Sequence, residues 1–289
     1  MIPGRISAQD LPDQLTNREN LMKIDDAVPA PAQRESTKSH WEEFWANKKE
    51  VHEVYSNDNR VLRNLEKLSS FKGKRVLEVG AGTGRDSFGL VERGAEVFMV
   101  DYAASSLQII KNIATEEKID VSPVGGNAFS LPFPDGTFDI VFHQGLLEHF
   151  REKEAANLLR ENIRVLRKGG ILLVDVPQRY HIYTVMKHIL IAMDKWFAGW
   201  EREFSIPELD RLLRSLGVEP FYRYGEWMYP SLFYRVVREA AMKVGVKLPL
   251  NPTPVKALTS VRKKIRESVR NTPISLYTSL SCGIVSRKP

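Results

Sequence analysis

The chain has 289 residues, 43% of them hydrophobic and 27% charged, an ordinary globular composition that excludes disordered, collagen-like and low-complexity classes. A single cysteine, Cys282, excludes an internal disulfide and a cysteine-built zinc site. The net charge of +6 is uneven: from Ser231 onward twelve Lys and Arg face two Glu, an excess that suits an acidic partner such as a membrane surface, a phosphate-bearing substrate or nucleic acid, or else a solvated basic helix.

Residues 1–37 are polar and rich in Pro and Ala, and read as an arm with little structure of its own. A helix is expected from Ser39, where Trp41, Phe44 and Trp45 fall at helical spacing, and a second one around Val61, Leu62, Leu65 and Leu68. Then short apolar runs alternate with helical stretches. Strands are expected at 74–79, 96–101, 121–124, 138–142 and 171–176, and helices at 86–93, 105–118 and 155–166, the last closed by a turn at 168–170. That alternation means a parallel sheet covered on both faces, and the near-continuous apolar strands agree. Residues 178–203 form an aromatic stretch read as a lid. Ser205, Pro207 and Glu208 read as a helix start, and Gly217 ends that helix. Two further strands are expected at 220–224 and 280–286, with a basic helical insertion over 231–275 between them. Residues 38–289 thus read as one domain. The N-terminus lacks the apolar stretch of a signal peptide and no apolar run is long enough to span a membrane, so a cytoplasmic protein is expected.

The most informative stretch is Glu78-Val79-Gly80-Ala81-Gly82-Thr83-Gly84, which joins the first strand to the next helix. Glycines there allow a sharp turn and a close backbone approach to a ligand. Asp101 ends the following strand, where a carboxylate can accept both hydroxyls of a ribose. A dinucleotide fingerprint would need a third glycine where Arg85 stands, which argues against a nicotinamide-dependent dehydrogenase. Glu78 would repel a pyrophosphate but suits a cationic ligand.

These residues resemble motif I of the class I S-adenosylmethionine-dependent methyltransferases, in the small-molecule subgroup that includes the ubiquinone and menaquinone enzymes. Asp101-Tyr102, the run from Gly126 and Asn127 to Asp139, Leu147-Glu148-His149 and Arg164 to Gly170 carry the same likeness, which covers about 70–176 well and 204–217 more loosely. It implies a doubly wound α/β fold with a seven-stranded, mostly parallel sheet, Rossmann-like, with helical additions at the N-terminus and before the last strand. It also implies S-adenosyl-L-methionine as cofactor and S-adenosyl-L-homocysteine as product. By that likeness Glu78, Gly80, Ala81, Gly82 and Gly84 would surround the methionine part, Asp101 would hold the ribose, and Tyr102, Asn127 and Ala128 would meet the adenine. His143 would line the amino-acid end through its backbone. The family often has Asp at Asn127, whose amide oxygen can still accept a hydrogen bond.

His149 and His143, near the carboxyl end of the fourth strand, are the candidate bases should the acceptor have to lose a proton. Trp41, Trp45, Tyr55 and Trp196 are the candidate acceptor-binding residues, and no metal is expected. The aromatic density suits a small-molecule or lipid-linked acceptor: a quinone, a sugar hydroxyl or an amine. The apolar and basic segments around 183–200 and 256–270 allow peripheral contact with an anionic membrane. A nucleic-acid methyltransferase and a non-catalytic cofactor-binding protein are the alternatives. The absence of an Asn-Pro-Pro-Tyr-like run and of a recognisable RNA module argues against nucleic acid as a partner.

Overall fold

The computed structural model describes residues 37–47, 59–196, 198–227, 231–249, 256–269 and 272–289. The arm expected over 1–37 lies outside them but for Thr37. Seven strands form one sheet: β1 (Arg75–Val79), β2 (Glu96–Asp101), β3 (Ser122–Gly125), β4 (Phe138–Gln144), β5 (Leu166–Pro177), β6 (Glu219–Glu226) and β7 (Ser281–Arg287). Their order is β3-β2-β1-β4-β5-β7-β6. Neighbours run parallel except β7, which is antiparallel to both β5 and β6. The helices in chain order are α1 (Lys38–Ala46), α2 (Arg60–Leu65), α3 (Arg85–Val91), α4 (Ala104–Glu117), α5 (Glu152–Val165), α6 (Ile182–Ala192), α7 (Ile206–Ser215), α8 (Leu232–Lys243), α9 (Lys256–Val269) and α10 (Pro273–Thr278).

Alternate residues of each central strand feed two cores, as the pleat requires. Leu77, Val79, Val141, Leu172 and Val174 face Leu158 and Leu159 of α5 and Leu209 and Leu213 of α7. Val76, Met99, Ile140 and Leu173 face Leu62 and Leu65 of α2, Phe88 and Leu90 of α3 and Ile110 of α4. Burial on both sides is why these strands read as continuous apolar runs. The start of α7 is the one its sequence specifies: Glu208 N donates to Ser205 Oγ, and the Glu208 carboxylate accepts from Ser205 N.

One local expectation is corrected, and two segments gain detail. The turn expected at 168–170 lies inside β5 as an irregularity, because Gly169 N and Lys288 N bond across to Lys288 O and Gly170 O. Among the described residues of the aromatic stretch, α6 is helical. The segment before the last strand also contains α10, capped by Thr272, whose side chain accepts from Ser275 N. No helix among the described residues is long and apolar enough to cross a membrane.

Candidate functional site

The order β3-β2-β1-β4 makes β1 the point from which the chain winds outward in both directions. The crevice at the carboxyl ends of such strands is where open α/β sheets take ligands. A cleft of about 470 Å³ opens there, within the usual range for a small-molecule site.

One side of it is the β1–α3 loop. Gly82 has φ +55°, and a Cβ on it would lie 2.8 Å from the Trp45 ring. Any side chain here would be strained and would collide with α1. Gly84, at φ +65°, stands behind the wall as the N-cap of α3. Asp101 braces the loop: its carboxylate accepts Gly82 N at 2.9 Å and Ala103 N at 2.9 Å. Ser106 Oγ donates to Gly82 O at 2.6 Å. Glu78 is buried at the cleft wall and takes a hydrogen bond from Ser87 Oγ at 2.5 Å. Burial, with Asp86 and Asp101 nearby, pushes its carboxyl up to about 8. Asn127 lines the cleft beside Tyr102 and Ala128, and its amide oxygen accepts Phe129 N at 3.0 Å.

The other side is assembled from distant parts of the chain. α1 lies over the cleft with Trp41, Phe44 and Trp45 in its wall. It is fastened there by Glu42, whose carboxylate accepts Ala104 N at 2.7 Å and Ser105 N at 3.0 Å. The N-cap of α4, Ala103, has no capping side chain, so Glu42 satisfies those amides from another helix. Arg60 reaches the wall from α2, paired with the buried Asp175 (Nε–Oδ1 2.9 Å), which also accepts the Tyr224 hydroxyl at 2.8 Å. A single 3₁₀ turn, Leu147–His149, supplies Glu148 and His149, and an extended segment supplies Glu201. The His149 ring meets Trp41 edge-on at 5.1 Å between centroids. Burial lowers the His149 pKa, against the raising pull of Glu201.

The structure therefore brings Glu78, Gly80, Ala81, Gly82, Asp101, Tyr102, Asn127, Ala128, His149, Trp41 and Trp45 to one cleft. Three residues do not join them: Gly84, behind the wall, and His143 and Trp196. His143 is fully buried in β4, neither ring nitrogen has a hydrogen-bond partner, and burial drives its pKa to about 3. It is a neutral core residue, not a base at the cleft. Trp196 is buried against Ile191 and Ala198, off the cleft wall. Tyr55 lies outside the described residues. Glu42, Arg60 and Glu201 were not foreseen. An acid on a helix, an arginine at a helix start and a glutamate in an unassigned stretch carry no sequence signal of their own.

S-adenosylmethionine fits this cleft. The glycine cradle would be filled by a Cβ at Gly82, and Asp101 lines the cleft at the end of β2. The lining holds Asp86, Asp101 and Glu201, with the raised carboxyls of Glu78 and Glu148 beside them, against Arg60 and Arg85, a surround that suits a cationic ligand.

Residues 76–170 match the family described as a methyltransferase domain. A demethylmenaquinone methyltransferase of Thermus thermophilus is 40% identical over 103 residues, which are 35% of this chain and 46% of that one. A ubiquinone biosynthesis O-methyltransferase of Alkalilimnicola ehrlichii is 25% identical over 190 residues, 64% of this chain and 75% of that one. The chain spans about half the length of the demethylmenaquinone methyltransferases it matches. Among solved structures, magnesium protoporphyrin IX methyltransferase of Synechocystis, with bound S-adenosylhomocysteine, superimposes with a TM-score of 0.52 at 13% identity, over 80% of this chain and 81% of that one. A SAM-dependent methyltransferase of Archaeoglobus fulgidus gives 0.52 at 16%, over 80% and 93%. At such identities the structural likeness is one of fold. Motif, topology and matched region agree: residues 76–170 match a methyltransferase domain, and the sheet order and glycine loop around them are similar to those of the S-adenosylmethionine-dependent enzymes.

Proposed function

We propose that the protein transfers a methyl group from S-adenosylmethionine to a small or lipid-linked acceptor. The observation that carries this reading is the cleft itself: a glycine cradle and ribose-type acid on one side, and an aromatic and imidazole-bearing wall on the other. When bound, S-adenosylmethionine supplies an electrophilic methyl on a sulfonium, so the protein's task is to align the acceptor and exclude water. Gly80, Ala81 and Gly82 would shape the methionine end and Glu78 would face its ammonium. Asp101 would hold the ribose hydroxyls, and Tyr102, Asn127 and Ala128 the adenine. Trp41 and Trp45 of α1 would cover the acceptor beside His149.

A lipid-linked acceptor is favoured by α6. One side of this helix packs Ile191, Tyr183 and Leu190 with Trp41 and Trp196, next to the cleft. Ile182, Val185, Ile189 and Met193 are exposed, Ile182 by 73%. Together with the basic C-terminal fifth, such a stripe suits shallow contact with an anionic membrane by a protein otherwise in the cytoplasm. Quinone names among the relatives agree with that choice.

The test is transfer of label from methyl-labelled S-adenosylmethionine into host extract, followed by phase partition. Label in the organic phase supports a quinone or lipid-linked acceptor. Label in the aqueous phase moves the acceptor to a sugar, an amine or nucleic acid, and no label in either phase rejects catalysis. Flotation with anionic vesicles at low salt tests α6, and absence of binding rejects the membrane contact.

A further inference from the structure

Behind the acceptor side of the cleft runs a buried ionic chain. Lys187 of α6 is only 3% exposed, with its Nζ 2.7 Å from Glu201 Oε2 and 2.6 Å from Glu203 Oε1. Glu203 also meets His188 Nε2 at 2.7 Å. The other oxygen of Glu201, Oε1, stands 3.9 Å from His149 Nδ1, and both residues line the cleft. The backbone delivers Glu201 to that position. Arg202 N donates to Glu148 O, Phe204 N to Pro177 O and Arg179 N to Phe204 O, each at 3.0 Å.

Lys187 is shared between two carboxylates, and His188 stands at Glu203, so the charge of Glu201 is balanced only in part. A buried charge is costly, and a cation arriving beside it is correspondingly favoured. The position next to Glu201 is occupied by the His149 imidazole, which can become a cation by taking a proton.

We infer that Glu201, fixed by Lys187, is a positioning residue that stabilises the imidazolium of His149, whose ring is also hydrogen-bonded to the Gly145 and Trp200 backbone, so that His149 takes the proton of a hydroxyl-bearing acceptor. This rests on the methyl-transfer reading and narrows its acceptor to one that must be deprotonated. The acceptor O–H gives its proton to the imidazole, the electron pair of that bond stays on oxygen to attack the methyl carbon, and water later takes the proton from His149. The charged groups facing His149 are Glu201 and Lys187, with Glu148 adjacent in the same turn. From α1 it meets the uncharged Trp41 ring, with His40 beyond. Burial keeps His149 neutral at rest, as a base must be. Glu148, pushed up to about 8 by burial and by Glu201, is itself neutral and does not rival Glu201 as counter-ion.

The experiment is an NMR titration of the full chain with isotopically labelled histidine, in the presence of S-adenosylhomocysteine, with the His149 signal among the six histidines assigned by His149→Asn. His149 is expected to titrate in the native chain, and Glu201→Gln to lower its midpoint by about one pH unit. Glu201→Asp, which withdraws the carboxylate without removing it, should give a smaller shift of the same sign and serves if the Gln variant does not fold. An unchanged midpoint in both variants, or a native His149 that never titrates while the protein is folded, overturns the assignment. Failure of the native chain to bind S-adenosylhomocysteine would instead overturn the methyl-transfer reading, and the His149 midpoints would still decide the role of Glu201.

Discussion

The two sides of the cleft are built by different means. The cofactor side comes from residues 78–128, where each wall lies at the end of a strand and is shaped by the turn that follows it. The acceptor side is gathered from α1, α2, the 3₁₀ turn after β4 and the segment around Glu201, which are far apart in sequence. Backbone conformation, braced by the nearby Asp101 and Ser106, holds the first. Individual polar contacts between distant segments hold the second: Glu42 to α4, Arg60 to Asp175, and Lys187 to Glu201. A wall of the first kind is expected to survive loss of a side chain and lose only ligand contacts. A wall of the second kind should come loose when one contact is removed.

The largest effect is expected at Asp175→Ala. It deletes the buried carboxylate that faces Arg60 and accepts the Tyr224 hydroxyl, and so leaves the Arg60 guanidinium without its counter-ion. Denaturant unfolding should show a loss of about 3 kcal/mol, the scale for breaking a buried pair from one side. A loss under about 1 kcal/mol would mean that the other contacts of α2, among them Leu62 N to Asp86 and Arg63 and Asn64 to Glu226, hold it without this pair. On the locally built wall, Asp101→Ala should leave the fold standing and weaken S-adenosylhomocysteine binding by about 1–3 kcal/mol in calorimetry. Unchanged affinity there would remove Asp101 from the ribose site. Smaller again is Glu42→Ala, which strips α4 of its borrowed cap at a cost of about 1 kcal/mol. Because Glu42 also fastens the helix that bears Trp41 and Trp45, the change in tryptophan fluorescence on adding S-adenosylhomocysteine should shrink in that variant. An undiminished change would show that α1 stays in place without it.

The same division explains what could be read from the chain before its structure. Seven strands, their parallel character and the glycine loop with Glu78 and Asp101 were legible, because pattern and site both arise within a few residues of each other. His149 was legible through its place after β4. His143 was misread from the same proximity: the pleat turns alternate residues to opposite faces, and position along the strand alone does not say which one meets the cleft. Glu201 and Lys187 were illegible for a different reason. Their pairing depends on how α6 and the segment after it fold back over β5, and no local spacing encodes that return. Trp196 shows the converse error, since aromatic density marked a wall where the chain has built the support behind one.

Two neutral carboxyls, one on each side of the cleft, sharpen the comparison at the smallest scale. Glu78 and Glu148 are both pushed up to about 8, mainly by burial. A folded-state pKa above the ordinary 4.5 means that the folded chain keeps a proton which the unfolded chain has lost. The stabilising contribution is therefore complete below 4.5, and stability falls as pH rises from there to about 8. Gln imitates the neutral acid, so Glu148→Gln should flatten this slope. Relative to the native chain, its melting temperature should gain about 2–4 °C on going from pH 5 to pH 8. Glu78→Gln should do the same without ligand. S-adenosylhomocysteine would then separate the two. Its ammonium, placed at Glu78, draws that carboxyl down and releases its proton, so binding at pH 7 should liberate protons detectable by calorimetry in buffers of different ionisation enthalpy. Glu78→Gln should abolish that release, and Glu148→Gln should leave it intact. Equal loss in both variants would mean that the two sides titrate as one unit, and the division between a locally built and a long-range wall would not extend to their electrostatics.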